Sequence, residues 1–215
     1  MNNDYSWCNR APARWIRAGM IIIVLSVAVG LVIWNSGLQD RLLPKRWGVV
    51  EEGMIYRSGR LPPFLLKTMA RRHQIRWIVD LTFPDPVQDT ERKIARELGI
   101  EYLNYPLYGS GIGKVWNYAH ALAVMVSAKK EHKPLLVHCS AGTQRTGGVV
   151  AAYRMLIEQK PPAVAYAELI QYGWSPDEDR ILLEFINSHM AELAERLLEM
   201  QLIDKIPDPL PVLGP

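Results

Sequence analysis

The chain has little cysteine. Two residues among 215, Cys8 and Cys139, cannot build the disulfide framework of a small secreted domain. Neither has a nearby partner at ligand spacing, which argues against a zinc site, so no metal and no cofactor is expected. A bridge between the two is disfavoured by the hydrophobic stretch that separates them. A dominant charge is missing as well. Lys and Arg number 25 against 22 Asp and Glu, for a net charge of +3, which gives no argument for a nucleic-acid partner. Internal repeats are absent. With 49% of 215 residues hydrophobic, the chain suits one globular domain plus extra segments.

The most informative stretch is His138-Cys139-Ser140-Ala141-Gly142-Thr143-Gln144-Arg145-Thr146-Gly147. Residues 133–137 before it read as a short buried strand, and residues 146–156 after it read as a helix. A loop between a strand and a helix N-terminus aims backbone N–H groups and the positive end of the helix dipole at one point. A phosphate dianion suits that point, and the same field favours the thiolate of Cys139.

Roles follow from residue type. The Cys139 thiolate is the nucleophile, able to attack phosphorus and form a phosphocysteine that water hydrolyses. Arg145 presents a planar fork of donors to phosphate oxygens, in the ground state and as charge spreads in the transition state. Thr146 can hydrogen-bond the sulfur and support its departure. Ser140, Ala141, Gly142, Thr143, Gln144 and Arg145 form the phosphate-binding loop, in which small Ala141 and Gly142 permit close backbone approach. His138 orders the loop by hydrogen bonding. The loop is not a nucleotide-binding Walker loop, because no lysine precedes Thr146.

HCSAGTQRTG resembles the signature of the cysteine-dependent protein tyrosine and dual-specificity phosphatases. Residues 48–58, GVVEEGMIYRS, are similar to the opening strands of the compact atypical dual-specificity branch, where a Tyr-Arg-Ser triplet recurs. Residues 75–82, IRWIVDLT, are similar to that branch's first core strand. The resemblance covers residues 47–187. It implies an α/β fold with a central, mostly parallel sheet flanked by helices, and phosphatase activity with Cys139 as nucleophile and Arg145 as phosphate clamp. The first substrate expected is phosphotyrosine on protein, with dual specificity open. The second is a phosphorylated membrane lipid or inositol phosphate. A phosphate-binding pseudophosphatase and a rhodanese-like sulfur transferase are the readings from other classes.

One part of the family pattern is missing. Many members carry a general-acid aspartate on a loop before the nucleophile, and the corresponding residues 105–114 contain no Asp or Glu. General acid help is typically worth ~10²–10⁴-fold. Asp85, on the loop leaving the 75–82 strand, is the candidate general acid, since loops at the carboxyl ends of strands line the crevice of a doubly wound sheet. Asp85-Pro86 also reads as an ordinary turn. The glycine-rich, acid-free loop is similar to that of branch members that cleave inositol pyrophosphates, whose leaving group needs less protonation.

Residues 18–34, AGMIIIVLSVAVGLVIW, are seventeen residues without a charge. Extended to residues 18–38, they are expected to form one N-terminal transmembrane helix, bracketed by Trp15 and Trp34. The expectation is a single-pass membrane protein, with a cleaved signal peptide as the rival. Three basic residues precede the span (Arg10, Arg14, Arg17) and three follow it (Arg41, Lys45, Arg46). The N-terminus is placed inside, and the side of the catalytic domain stays open. The organisation expected is a basic tail over 1–17, the span over 18–38, a linker over 39–46, a catalytic domain over 47–203 and a mostly unstructured proline-rich tail over 204–215. Ser175-Pro176 reads as an N-cap and first turn of a last helix running to Leu202.

Overall fold

The computed structural model describes residues 11–35 and 43–214. The chain divides into two units, Met1–Leu43 and Pro44–Pro215. What is described of the first is one helix, α1 (Ala11–Asn35), with one short non-helical piece at residue 43.

Here the membrane expectation is corrected. Among the described residues no helix is long and apolar enough to cross a membrane, so a transmembrane helix over 18–38 and a single-pass localisation are not upheld. The seventeen charge-free residues of α1 rise only about 25 Å at ~1.5 Å each, against a hydrocarbon core of ~30 Å. The turns before them carry Arg14 and Arg17. Residues 36–38, which would lengthen the run, lie outside the described residues, as do residues 1–10 of the basic tail and 39–42 of the linker.

The second unit is built on a five-stranded sheet. Its strands are β1 (Gly48–Glu51), β2 (Ile55–Gly59), β3 (Trp77–Asp80), β4 (Glu101–Asn104) and β5 (Leu135–Cys139). They lie in the order β1-β2-β5-β3-β4. β1 pairs antiparallel with β2, and the other three pairings are parallel. The sequences WIVD and LLVHC are continuous rather than alternating, and every residue of β3 and β5 is buried. That is the pattern of parallel strands covered on both faces.

Helices supply both covers. On one face α2 (Pro63–Arg72) and α3 (Pro86–Glu97) bring Leu65, Leu66, Met69, Ile94 and Ala95 onto Ile78 and Leu136. The other face carries α4 (Val115–Lys130), α5 (Gln144–Ala152), α6 (Pro162–Gln171), α7 (Arg180–Ser188) and α8 (Met190–Glu199). Tyr118, Leu122, Val149, Leu169, Ile186 and Leu197 from these helices share a core with Val79, Leu135 and Val137. The α/β architecture expected for this region is the one observed.

Two local expectations differ. The last helix does not begin at Ser175-Pro176; those residues form a turn closed by Asp179 N–H donating to the Ser175 carbonyl at 2.9 Å, and α7 starts at Arg180. The helix also breaks between Ser188 and Met190. The proline-rich tail is not loose. The Asn187 amide exchanges two hydrogen bonds with the Leu213 backbone, at 2.9 and 2.7 Å, and Leu213 is 1% exposed. Proline removes helical and strand options but not apolar anchors, and Ile206, Leu210 and Leu213 supply them.

Candidate active site

β5 is the central strand, and Cys139 is its last residue. Gly59 pairs with Cys139 and Asp80 pairs with His138, so β2, β3 and β5 end at one level. Residues 140–143 then turn into α5. The turn needs Gly142, whose φ is +80°. A Cβ there would stand 2.5 Å from the Gly59 nitrogen, and a Cβ on Gly59 would stand 2.9 Å from the Ala141 oxygen. Two backbones meet where neither can carry a side chain.

The loop carbonyls are drawn outward by groups from elsewhere. Arg60 N–H donates to the Ser140 carbonyl at 3.2 Å. Arg46 donates to Ala141 at 3.0 Å, and Arg57 donates to Gly142 at 3.1 Å. A peptide's N–H points opposite its carbonyl, so these three bonds turn the following N–H groups inward. One of them is Gly142 N–H, which donates to Cys139 Sγ at 3.1 Å. The first turn of α5 adds its positive end.

Cys139 is 1% exposed. Burial opposes its ionisation, but the Thr146 hydroxyl, the Arg145 charge and the N–H groups of Thr146 and Gly142 outweigh burial and hold the thiol below its ordinary range. The Thr146 hydroxyl is fully buried, and its contribution is among those that favour the thiolate. Arg145 Nε is buried with no protein partner among the described residues. A phosphate oxygen would satisfy it.

Arg57 is wholly buried beneath the loop. It bonds Glu168 at 3.2 Å and lies 3.7 Å from the Tyr172 ring centre. Glu168 is held in turn by Arg154 at 2.7 Å. Arg57, the middle residue of the Tyr-Arg-Ser triplet, thus gives the loop its support, and α6 fixes that support in place.

His138 packs against two buried carboxylates, with Nε2 3.1 Å from Glu91 Oε1 and Nδ1 3.9 Å from Asp80 Oδ1. Burial works against its charge, yet Glu91 and Asp80 prevail and raise its pKa to about 9. Asp80 also accepts from Thr82, Gln88 and Tyr102. Asp80, Glu91 and His138 are spaced as three metal ligands would be. However, protonated His138 and the Arg60 guanidinium, 3.8 and 3.9 Å from the two carboxylates, already bring positive charge to them.

Asp85, the candidate general acid, sits at the start of α3. It is the N-cap of α3, accepting from Gln88 N–H at 2.7 Å, and it pairs with Arg60 at 2.8 Å. The Arg60 hydrogen bond first, then the Gln88 N–H, hold its carboxyl below the usual range. The residues missed in the sequence are those distant in the chain: Arg46, Arg60, Asp80, Glu91 and Glu168. Ser140 and Thr143 contribute backbone, while the Gln144 side chain donates to Asp179 Oδ2 at 2.8 Å.

The sequence profile described as Tyrosine phosphatase family matches residues 41–204. The dual specificity protein phosphatase TpbA of Pseudomonas aeruginosa is 27% identical over 181 residues, 80% of this chain and 78% of that protein. The crystal structure of P. aeruginosa TpbA superposes with a TM-score of 0.59 at 21% identity, covering 73% of this chain and 91% of that one. The core catalytic domain of the PP-IP phosphatase SIW14 from S. cerevisiae gives a TM-score of 0.61 at 20% identity, covering 78% and 97%. PTPMT1 gives 0.53 at 19% identity, covering 69% and 99%.

Proposed function

The chain belongs to the tyrosine phosphatase family, and from that premise we propose that it hydrolyses phosphotyrosine on protein through a phosphocysteine at Cys139. What carries the reading is one arrangement: Cys139 Sγ accepts from Gly142 N–H at 3.1 Å while Arg145 Nε, on the same loop, is buried without a protein partner among the described residues. A thiolate and an arginine on one anion-binding turn suit nucleophilic attack on phosphorus. The phosphoryl group is held by loop N–H groups and Arg145, Sγ attacks in line, and the leaving oxygen departs on the opposite side. Water then displaces the sulfur, with Thr146 supporting the thiolate.

An aromatic ester is favoured by Phe83 and Tyr108. Their rings lie 5.3 Å apart, 47% and 59% exposed, on the loops that follow β3 and β4, at the same end of the sheet as Cys139. A tyrosine ring can pack against such a pair.

A second reading is an inositol or lipid phosphate. The acid-free residues 105–114 suit a leaving group that needs little protonation. SIW14 is described as a PP-IP phosphatase, and PTPMT1 has been solved with PI(5)P.

The test is turnover by the full chain. Phosphotyrosine peptide should be hydrolysed faster than phosphoinositide vesicles or an inositol pyrophosphate, with an initial burst. Cys139→Ser should abolish turnover and keep phosphate binding. Preference for either inositol compound would replace the first reading with the second. Phosphate binding with no turnover by the wild type would make the chain a binding protein.

A further inference from the structure

We propose that Asp179 is the general acid and base of the reaction, acting from the turn before α7. The inference rests on the phosphatase reading above and supplies the proton donor that residues 105–114 lack. Among the described residues, Asp179 is the carboxylate that hydrogen-bonds a side chain of the phosphate-binding loop, accepting from Gln144 Nε2 at 2.8 Å.

Three observations support the assignment. Asp179 occupies the N-cap position of α7 and yet makes no side-chain cap bond. An N-cap aspartate ordinarily gives its carboxylate to the N2 or N3 amide; here the carboxylate is turned to the loop instead. Four other carboxylates around the loop are committed elsewhere. Asp80 and Glu91 are buried with His138, Asp85 caps α3 and pairs with Arg60, and Glu168 holds Arg57 and Arg154.

The third observation is convergence. A Cβ on Gly111 would lie 2.6 Å from Leu182 Cδ1 and 3.2 Å from the Gln144 carbonyl oxygen. The loop without an acid, the first turn of α5 and the first turn of α7 therefore meet beside the anion site. The turn that carries Asp179 leads directly into that first turn of α7. Oδ2 is held by Gln144, and Oδ1 takes no hydrogen bond from the described residues.

The steps balance. As Cys139 Sγ bonds to phosphorus, the bond from phosphorus to the ester oxygen breaks and that oxygen takes the proton from the Asp179 carboxyl. The products are the free alcohol or phenol and phosphocysteine. The Asp179 carboxylate then takes a proton from the attacking water, the phosphorus–sulfur bond breaks, and inorganic phosphate and the Cys139 thiolate are released with the carboxyl restored.

The experiment follows leaving-group basicity with the full chain, using aryl and alkyl phosphates from activated phenols to a phosphoserine peptide. Wild-type kcat should depend only shallowly on the leaving group. Asp179→Asn should keep the burst with the most activated aryl phosphate and lose about 10²-fold or more on the alkyl ester. Gln144→Ala, which frees the carboxylate, should steepen the dependence by less. Asp177→Asn and Glu178→Gln should leave it unchanged. Parallel slopes for wild type and Asp179→Asn would overturn the assignment while leaving the phosphatase reading intact. No turnover of any ester by the wild type would sink both. If Asp179→Asn loses all turnover, Asp179→Glu decides: a restored shallow slope supports the proposal, and a steep or lost one overturns it.

Discussion

His138 Nε2 lies 3.1 Å from Glu91 Oε1, a charge pair in which both side chains are almost wholly buried and which sits directly behind the nucleophile. Forty-seven residues separate the partners in sequence. The pair ties α3 to the end of β5 and keeps a positive charge next to Cys139.

That pair predicts a pH dependence of stability. The folded-state pKa of His138 is raised from the ordinary 6.5 to about 9, so folding takes up a proton between those values. Its contribution is fully present below the unfolded pKa and is lost as pH rises through the folded one. The wild-type unfolding midpoint should fall from about pH 7 to about pH 9, and Glu91→Gln should remove most of that slope. Thermal melts across the range check it, and an unchanged slope in Glu91→Gln would contradict it.

Arg57→Ala should destabilise the protein by about 3 kcal/mol, since breaking a buried pair leaves charge and a carbonyl uncompensated. Arg154 still holds Glu168, which keeps the loss from being larger. Arg57→Lys should recover only part, because an ammonium lacks the fork that reaches Glu168 and the Gly142 carbonyl together. Urea titration gives the stability, and kcat should fall in both variants as the loop loses its support.

Gly142→Ala should cost activity out of proportion to its size. The left-handed backbone and the 2.5 Å approach to Gly59 nitrogen leave no place for the methyl group. A loss of about 1–3 kcal/mol in stability is expected, together with weaker binding of vanadate or phosphate, measured by competitive inhibition.

Phe83→Ala and Tyr108→Ala should each raise KM for a phosphotyrosine peptide by about 2–10-fold, the equivalent of an aromatic contact of ~0.5–1.5 kcal/mol. Neither should change KM for a small alkyl phosphate. An equal change on both substrates would remove the aromatic pair from recognition.

Local chemistry was legible in the sequence, and partners distant in the chain were not. Residues 133–156 displayed the strand, turn and helix, because each is set by neighbours a few positions away. The membrane expectation failed because hydropathy was read from residues 18–34 together with residues outside the described helix. The start of α7 was misplaced because Ser175-Pro176 imitates a cap; the chain uses it as a turn, and Asp179 takes the cap position. Arg46, Arg57 and Arg60 hold the loop from sites roughly 80 or more residues away, and contacts at that separation leave no periodic or spacing signal.

Cys139 ends a strand paired on both sides and buried along its whole length. Segments of this kind open only when the entire domain unfolds, whereas loops and termini open locally. The amides of β5 should therefore be among the last to exchange with deuterated solvent. The nucleophile of this chain is clamped at one end to the slowest-opening part of the molecule, so its position is fixed by the global stability of the fold rather than by the loop that bears its chemistry.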